Sequence, residues 1–184
     1  MKGQIIGIII LTSILLGYNF CSNPAKELNR VVAKWTGKTI RFPEGIRCVS
    51  MGKDTACQEK KDKVFTILMY ADSTGCASCR FHPYEWQKLI EEADTIFPGI
   101  LDFKFYFYPK SETELNLIFQ RERFYYPVHM DNNDELNKLN RFPRDLRFQC
   151  FLLNKNNKVI GIGNPYTNRE IWKLYKHIIF ENLK

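Results

Sequence analysis

The sequence predicts an α/β fold in which a mixed central sheet is flanked by helices and preceded by a short N-terminal extension of helix and strand. From residue 64 onward, the spacing of apolar residues alternates between the periods of strands and helices. Val64–Tyr70 is almost continuously apolar, as expected of a central strand that is buried on both faces. Phe148–Leu153 and Lys158–Ile162 are separated by the turn-forming residues 154–157, which predicts a hairpin.

Length and composition restrict the class of protein. The chain has 184 residues, of which 45% are hydrophobic and 26% charged, so one globular domain is expected and a disordered or collagen-like chain is excluded. The net charge is +7, but no basic run or RNA-binding signature accompanies it, so the charge does not indicate a nucleic-acid partner. The six cysteines are too few for a disulfide scaffold, and each needs its own assignment.

The first 21 residues predict export from the cytoplasm. Lys2 precedes the apolar run Ile5–Leu16, which has the length of a secretory signal and is short for a membrane span. Cys21 follows closely and resembles the lipid-attachment cysteine of bacterial lipoproteins, although Phe20 stands where that pattern has a small residue. Simple secretion and an uncleaved anchor remain alternatives. All three place the domain outside the cytoplasm, where disulfides can persist. We expect the extracytoplasmic cell envelope (periplasm) and a membrane-anchored lipoprotein.

We predict that residues 22–63 form the N-terminal extension and residues 64–184 the main domain. In the extension we expect a helix that starts after Asn23-Pro24 and ends before Gly37, strands at Lys38–Phe42 and Ile46–Ser50, and a polar loop over 52–63. The elements expected in the main domain are first the strand Val64–Tyr70, a helix from near Cys76 to Phe97, the strand Leu101–Tyr108 and a helix with a capping box at Ser111. They continue with a short strand at Tyr125–Met130, a brief helix with Leu136 and Leu139, the hairpin, and a final helix with a capping box at Thr167.

Cys76-Ala77-Ser78-Cys79 lies between the buried strand and the helix that follows it. At a helix N-terminus, free backbone N–H groups and the helix dipole favour a thiolate on the first cysteine of such a pair. The second cysteine can then attack a mixed disulfide formed on the first. Arg80, and His82 when protonated, add positive charge nearby.

In this context the chain resembles the thioredoxin-like superfamily over about Val64 to Leu183, and within it the exported thioredoxin-like lipoproteins of Bacteroides-type bacteria. The residues that carry the resemblance are Asp72–Cys79, Pro83, Trp86, Phe148–Leu153 and Gly163-Asn164-Pro165. It implies a thioredoxin-like fold and thiol–disulfide exchange, with Cys76 as the attacking thiolate and Cys79 as the resolving thiol. The residues expected to line or tune the site are Gly75, Ala77, Ser78, Arg80, His82, Gln149 and Cys150.

Three residues depart from the pattern of thioredoxins. Gly75 replaces a tryptophan, Gln149 stands near the position of a cis-proline that helps to bind substrate, and Tyr70 replaces a buried acid. These departures leave an alternative from another class, a redox-inactive binding or scaffold module with a structural Cys76–Cys79 disulfide. Ser73 stands where peroxiredoxins have a threonine, but their upstream proline is missing, so peroxidase activity is disfavoured.

Two other cysteines flank a loop that contains turn-forming residues, and we expect a Cys48–Cys57 disulfide or two unpaired thiols there. Cys150 lies in an apolar run and is expected to pack in the core, with a place near the active pair as the alternative. A zinc site made of the four cysteines Cys48, Cys57, Cys76 and Cys79 would have an unfamiliar spacing and is disfavoured.

These predictions define the expected partners. Substrates would be the thiols and disulfides of envelope proteins, served by an upstream electron donor or acceptor. The membrane would be reached through a lipid anchor or the N-terminal segment, and the protein would be a monomer. We expect no cofactor, no metal ion and no nucleic acid.

Overall fold

The computed structural model of the chain describes residues 24–57, 63–72 and 81–183. The predicted export segment, Cys21 and the segment Gly75–Arg80 lie outside these residues. The chain divides into two compact units, Met1–Ala33 and Lys34–Lys184. The described residues of the first unit form the beginning of one helix. Among the described helices, none is both long and apolar enough for a membrane span.

Five α-helices and seven strands make up the described structure. The helices are α1 (Pro24–Trp35), α2 (Pro83–Ile96), α3 (Glu112–Arg121), α4 (Glu135–Asn140) and α5 (Arg169–Asn182). The strands are β1 (Arg47–Ser50), β2 (Lys53–Thr55), β3 (Phe65–Ala71), β4 (Leu101–Phe107), β5 (Val128–Met130), β6 (Cys150–Asn154) and β7 (Val159–Ile162). A 3₁₀ turn over Leu146–Phe148 precedes β6.

All seven strands belong to one mixed sheet with the order β2-β1-β5-β4-β3-β6-β7. The strands β3, β4 and β5 run parallel, whereas every other neighbouring pair is antiparallel. Six of the seven residues of β3 are buried, as its apolar sequence predicts. The predicted mixed sheet flanked by helices is therefore confirmed.

Aromatic side chains fill the core on the face of the sheet that α2, α3 and α5 cover. Phe81 is completely buried, and its ring meets those of four other phenylalanines edge to face at 4.9–5.8 Å, a geometry that aromatic pairs prefer (Phe105, Phe107, Phe119 and Phe124). Trp86 of α2 packs edge-on against Phe105 of β4 at 5.0 Å. On this face α5 approaches β7 so closely that a Cβ atom on Gly161 would lie 2.6 Å from the ring of Tyr175.

A second aromatic cluster covers the opposite face. Phe142 stacks on Trp35 and on Phe151 of β6, and it also contacts the ring of Tyr70 at 5.0 Å. Leu136 of α4 is completely buried as well. This face is thus covered by α4, by Trp35 at the end of α1 and by Phe142 in the chain after α4.

The strand predicted at Lys38–Phe42 is wrong, because only the single bridge Thr39–Lys158 forms there. Backbone hydrogen bonds join residues 37–40 to Asn157 and Val159 at the β7 edge. Beyond them, the buried Asn140 side chain accepts from the backbone N–H of Arg41 at 2.9 Å and donates to its carbonyl at 2.7 Å. The side chain of Asn140 therefore replaces a partner strand, and the ladder ends.

The loop predicted over residues 52–63 contains β2, which the sequence did not predict. Met51 and Gly52 both have positive φ (52° and 74°), as in the two-residue turns that suit a hairpin. All three residues of β2 are exposed, so no apolar alternation marked them as a strand. The hairpin is closed by the Cys48–Cys57 disulfide, with a Cα–Cα distance of 5.3 Å.

Two helix starts also differ from prediction. The predicted helix start near Cys76 lies outside the described residues, but the predicted continuous helix is wrong, because Phe81 and His82 are not helical and α2 begins at Pro83. Proline suits the first helical position because it has no N–H group to leave unpaired. The N-cap of α5 is Asn168 rather than Thr167, and its side chain accepts from the N–H of Glu170.

An ion pair with a buried carboxylate lies beside the start of β3 and β4. The Asp102 carboxylate is 2% exposed, and it pairs with the ammonium of Lys63 and accepts from the Tyr126 hydroxyl at 2.9 Å. The Tyr126 oxygen in turn accepts from the backbone N–H of Phe103. This network joins residues that precede β3 and β5 to the intervening strand β4.

We expect Asp102→Ala to lower the free energy of unfolding by about 2–3 kcal/mol, because the Tyr126 hydroxyl loses its charged acceptor and the partly exposed Lys63 loses its ion pair. Urea denaturation measures the loss. The control is Glu170→Ala, which removes an exposed pair with Lys173 and should cost less than ~1 kcal/mol. Equal losses in the two variants would contradict this role for the network.

Breaking the disulfide should destabilise the protein by about 2–3 kcal/mol, because the bond restricts a small loop in the unfolded chain. The suitable variant is Cys57→Ala, since Cys57 is exposed and its removal disturbs little packing. Its unfolding free energy should match that of the reduced parent protein. A variant as stable as the oxidised parent would show that the bond contributes nothing.

Candidate functional site

The predicted active pair lies in the connection between the central strand and the helix that follows it. The strand β3 ends at Ala71 and α2 begins at Pro83. Cys76 and Cys79, with Gly75, Ala77, Ser78 and Arg80, are among the residues that the structure does not describe, so their roles stay predictions.

A cleft of about 300 Å³ opens beside the carboxyl end of β3. In open α/β sheets, ligands bind in crevices at the carboxyl ends of strands. The lining comes from the end of β3, from the chain before β6 and from the chain after β7, namely Met69, Tyr70, Ala71, Leu146, Arg147, Gln149, Asn164, Tyr166 and Thr167. Three segments that are distant in sequence therefore meet where the connection with the cysteine pair departs.

Gln149, expected in the wall of the site, does line this cleft. Its side chain is 5% exposed and donates to the carbonyl of Pro143 at 3.0 Å. Its own backbone carbonyl accepts from the N–H of Tyr70 at 3.0 Å. Both groups are thus used to hold the chain before β6 against β3, in the place where the resemblance to thioredoxins expects a proline.

Tyr70, at the position expected to hold a buried acid, donates its hydroxyl to the Asp134 carboxylate at 2.5 Å. Burial, and then this hydrogen bond to an anion, raise the pKa of Tyr70. The phenol therefore stays neutral and donates this hydrogen bond. The Asp134 carboxylate lies beyond the phenol, at the accepting end of the bond. Sequence reasoning missed Asp134, which is 64 positions away along the chain and carries no local signal of this contact.

Cys150 lies directly opposite Met69 in the β3–β6 ladder and is 2% exposed within the core. Burial raises the pKa of the Cys150 thiol well above its ordinary value. A protonated, enclosed thiol is a poor nucleophile. Cys150 therefore supports the floor behind the cleft by packing, and its position near the end of β3 does not make it reactive.

His82 is the exposed N-cap residue of α2, and its ring lies 5.6 Å from that of Tyr166. Tyr166 also packs edge-on against Trp86 at 5.1 Å, so it joins the helix to the cleft. Burial, and to a smaller extent the nearby Cys150, raise the pKa of Tyr166 to about 12. Sequence reasoning missed Tyr166, although the turn residues Asn164-Pro165 before it indicated a loop at the end of the hairpin.

The Cys48–Cys57 pair, offered as a candidate by the sequence, is bonded in the structure. Cys48 is in register with His129, His129 with Tyr106, and Tyr106 with Tyr70. Three strand spacings, or about 14 Å, therefore separate the disulfide from Tyr70. This distance makes the disulfide a site of its own, apart from the cleft.

We expect Cys150 to resist thiol alkylation in the folded protein, because it is enclosed and its pKa is raised. The experiment uses the chain with Cys21, Cys76 and Cys79 each replaced by Ser and with the Cys48–Cys57 disulfide intact. Mass spectrometry after iodoacetamide treatment should find no label in buffer and one label in denaturant. Rapid labelling in buffer would show that the β6 strand opens readily.

No protein-family profile matches the chain, and no curated protein matches it significantly. Solved structures do match. The thioredoxin domain of a thiol-disulfide oxidoreductase from Bacteroides vulgatus is 11% identical, with a TM-score of 0.50 over 76% of this chain and 97% of that chain. Peroxidoxin BcpB from Mycobacterium tuberculosis is 13% identical, with a TM-score of 0.52 over 76% and 95%.

Peroxiredoxin Q from Xanthomonas campestris is similar to the same degree, with 12% identity and a TM-score of 0.51 over 77% of this chain and 99% of that chain. At such identities the likeness concerns the fold. The expected fold is therefore confirmed: the sheet and helices of this chain are thioredoxin-like.

Proposed function

We propose that this chain is an extracytoplasmic thiol–disulfide oxidoreductase that uses Cys76 and Cys79. The observation that carries the proposal is the place of the CxxC sequence, in the connection from the central strand β3 to α2 of a thioredoxin-like sheet. The cleft opens at the carboxyl end of β3, where this connection starts. A redox pair needs such a neighbouring surface to hold its substrate.

The exchange proceeds in two steps. The Cys76 thiolate attacks one sulfur of a substrate disulfide, so that a mixed disulfide forms and the other substrate sulfur leaves as a thiolate. Cys79 then attacks the Cys76 sulfur, which releases the second substrate thiolate and leaves a Cys76–Cys79 disulfide. Two electrons pass to the substrate, which takes up two protons, and a dithiol donor reduces the pair again. Substrate oxidation is the same sequence in reverse.

The cleft offers a docking surface that suits an extended polypeptide around a disulfide. Met69, Ala71 and Leu146 supply apolar contacts, and Asn164 and Thr167 supply polar groups at the rim. Tyr166 lies between the cleft and His82 and can support a substrate segment that passes over α2. Such a mixture of apolar lining and few polar groups is common in binding clefts.

The finer features of the proposal concern location and partners. The apolar run before Cys21 and the Cys48–Cys57 disulfide both favour an oxidising compartment outside the cytoplasm. We propose a monomer of the exported thioredoxin-like lipoprotein type, held at the membrane through Cys21. Its substrates would be disulfides and thiols of other envelope proteins.

Single cysteine variants test this function. Cys79→Ser should accumulate mixed disulfides through Cys76, because the resolving thiol is gone, whereas Cys76→Ser should trap none and lose exchange with a model disulfide. Non-reducing electrophoresis and insulin reduction measure both effects. The matched control is Cys150→Ala, whose buried thiol should not matter for exchange. Wild-type exchange in both active-pair variants would overturn the proposal.

A second candidate is a redox-inactive binding module with a permanent Cys76–Cys79 disulfide. Two replaced residues favour it. A neutral Tyr70 phenol stands where the resemblance to thioredoxins expects a buried acid, and Gln149, hydrogen-bonded to the Pro143 carbonyl, stands where it expects a proline. The reduction potential of the pair separates the two. A value of about −300 mV or lower indicates a structural bond, and a higher value together with a Cys76 pKa near or below ~7 indicates the enzyme.

A further inference from the structure

Three side chains with metal-binding atoms converge at the edge of the sheet, away from the cleft. Cys48 of β1 and His129 of β5 are opposite each other in the antiparallel ladder, and Cys57 is bonded to Cys48. One ligand atom of each residue lies within 4.8 Å of the other two. Thiolate and imidazole are the ligands that Zn²⁺ prefers in proteins.

The histidine in this group is held by its neighbours. Its ring stacks on the ring of Tyr106 with centroids 4.1 Å apart and planes 12° apart. Directly opposed residues in an antiparallel pair have Cβ atoms about 4.5–5.5 Å apart, which keeps His129 beside Cys48. The imidazole is thus oriented next to the sulfurs by the β1–β5 ladder and by stacking on Tyr106, neither of which includes the disulfide bond.

The two sulfurs differ in access. Cys48 is buried, whereas Cys57 is exposed and lies two residues beyond the end of β2. A dithiol can therefore reach the Cys57 sulfur and leave Cys48 as the departing thiol. In a tetrahedral zinc site, ligand atoms are about 3.5–3.8 Å apart, and rotation of the Cys57 side chain can provide this separation.

We propose that the reduced form of this pair binds Zn²⁺ through Cys48, Cys57 and His129, so that the disulfide and the metal are mutually exclusive. A dithiol donor passes two electrons and two protons to the S–S bond, becomes a disulfide itself and leaves two thiols. Zn²⁺ then displaces both thiol protons and binds the two thiolates and the neutral imidazole. Water occupies the fourth position at the exposed side of Cys57.

This site goes beyond the exchange proposed for Cys76 and Cys79 and does not depend on it. It also differs from the disfavoured four-cysteine zinc site, because it draws its third ligand from His129, which only the sheet brings near. The sequence alone predicted no metal site. The structure supplies the ligand set by pairing β1 with β5.

The experiment uses the full chain with Cys21, Cys76 and Cys79 each replaced by Ser, so that those thiols cannot bind metal. The protein is reduced with a phosphine, freed of reductant under argon and titrated with Zn²⁺. We expect one Zn²⁺ per chain in the reduced protein and none in the oxidised protein. Titration with Co²⁺ should give thiolate-to-metal charge-transfer absorption and tetrahedral d–d bands.

Two variants and a control identify the ligands. Cys48→Ser should abolish Zn²⁺ binding. His129→Gln should weaken Zn²⁺ binding at least about tenfold, because the loss of a residue that only hydrogen-bonds to a metal ligand already costs that much. The control His177→Gln changes an exposed histidine on α5 and should bind as the parent does. Near-UV circular dichroism checks the fold of each protein, and a reduced chain that has loosened should regain its spectrum on adding Zn²⁺.

Several results would overturn the site. They are the absence of binding by the reduced protein, equal binding by the oxidised protein, unchanged affinity in His129→Gln, and a loosened reduced chain that Zn²⁺ does not restore. None of these results bears on disulfide exchange by Cys76 and Cys79, since both cysteines are absent from the protein tested.

Discussion

Burial of β3 on both faces is the constraint on which the other elements depend. Its side chains point alternately into two aromatic layers, one around Phe81 and the other around Phe142. Apolar side chains on both sides of a strand need cover on both sides, which helices supply in α/β folds. The helices α2 and α5 supply it on one face, and α4 with the chain around Trp35 supplies it on the other. The end of β3 is thereby held in place, and the cleft forms there.

The segment before β3 completes the sheet. Its β1–β2 hairpin extends the edge beside β5, while residues 37–40 bond to the β7 edge at the far side. A covalent bond holds one addition and hydrogen bonds hold the other: the disulfide closes the hairpin, and the Asn140 amide bonds the backbone of Arg41. The hairpin therefore pairs with the outer side of β5, and residues 37–40 cover part of the β7 edge, which would otherwise present unpaired backbone groups.

The two cysteine sites differ in how their chemistry is set. In the proposed exchange site, reactivity would depend on the charges close to Cys76. The wall of the neighbouring cleft contributes the neutral Tyr70 phenol and the Gln149 amide, which is bonded to the Pro143 carbonyl. At the hairpin, the sulfurs of Cys48 and Cys57 lie beside the His129 imidazole, which stacks on the Tyr106 ring. Environment, more than cysteine count, therefore decides what each pair can do.

By itself, the sequence determined the order of strands and helices from β3 onward, the N-cap of α3 at Ser111, the buried character of β3 and the closeness of Cys48 to Cys57 along the chain. These follow from periodicity, turn residues and spacing within about ten positions. The tertiary structure alone decided the long-range contacts. These are the hydrogen bond from Tyr70 to Asp134, the bond of Asn140 to a residue 99 positions away, the pairing of the exposed strand β2 and the place of His129 beside a disulfide. The reason is that such contacts depend on which strands become neighbours, and polar side chains carry no periodic signal of their distant partners.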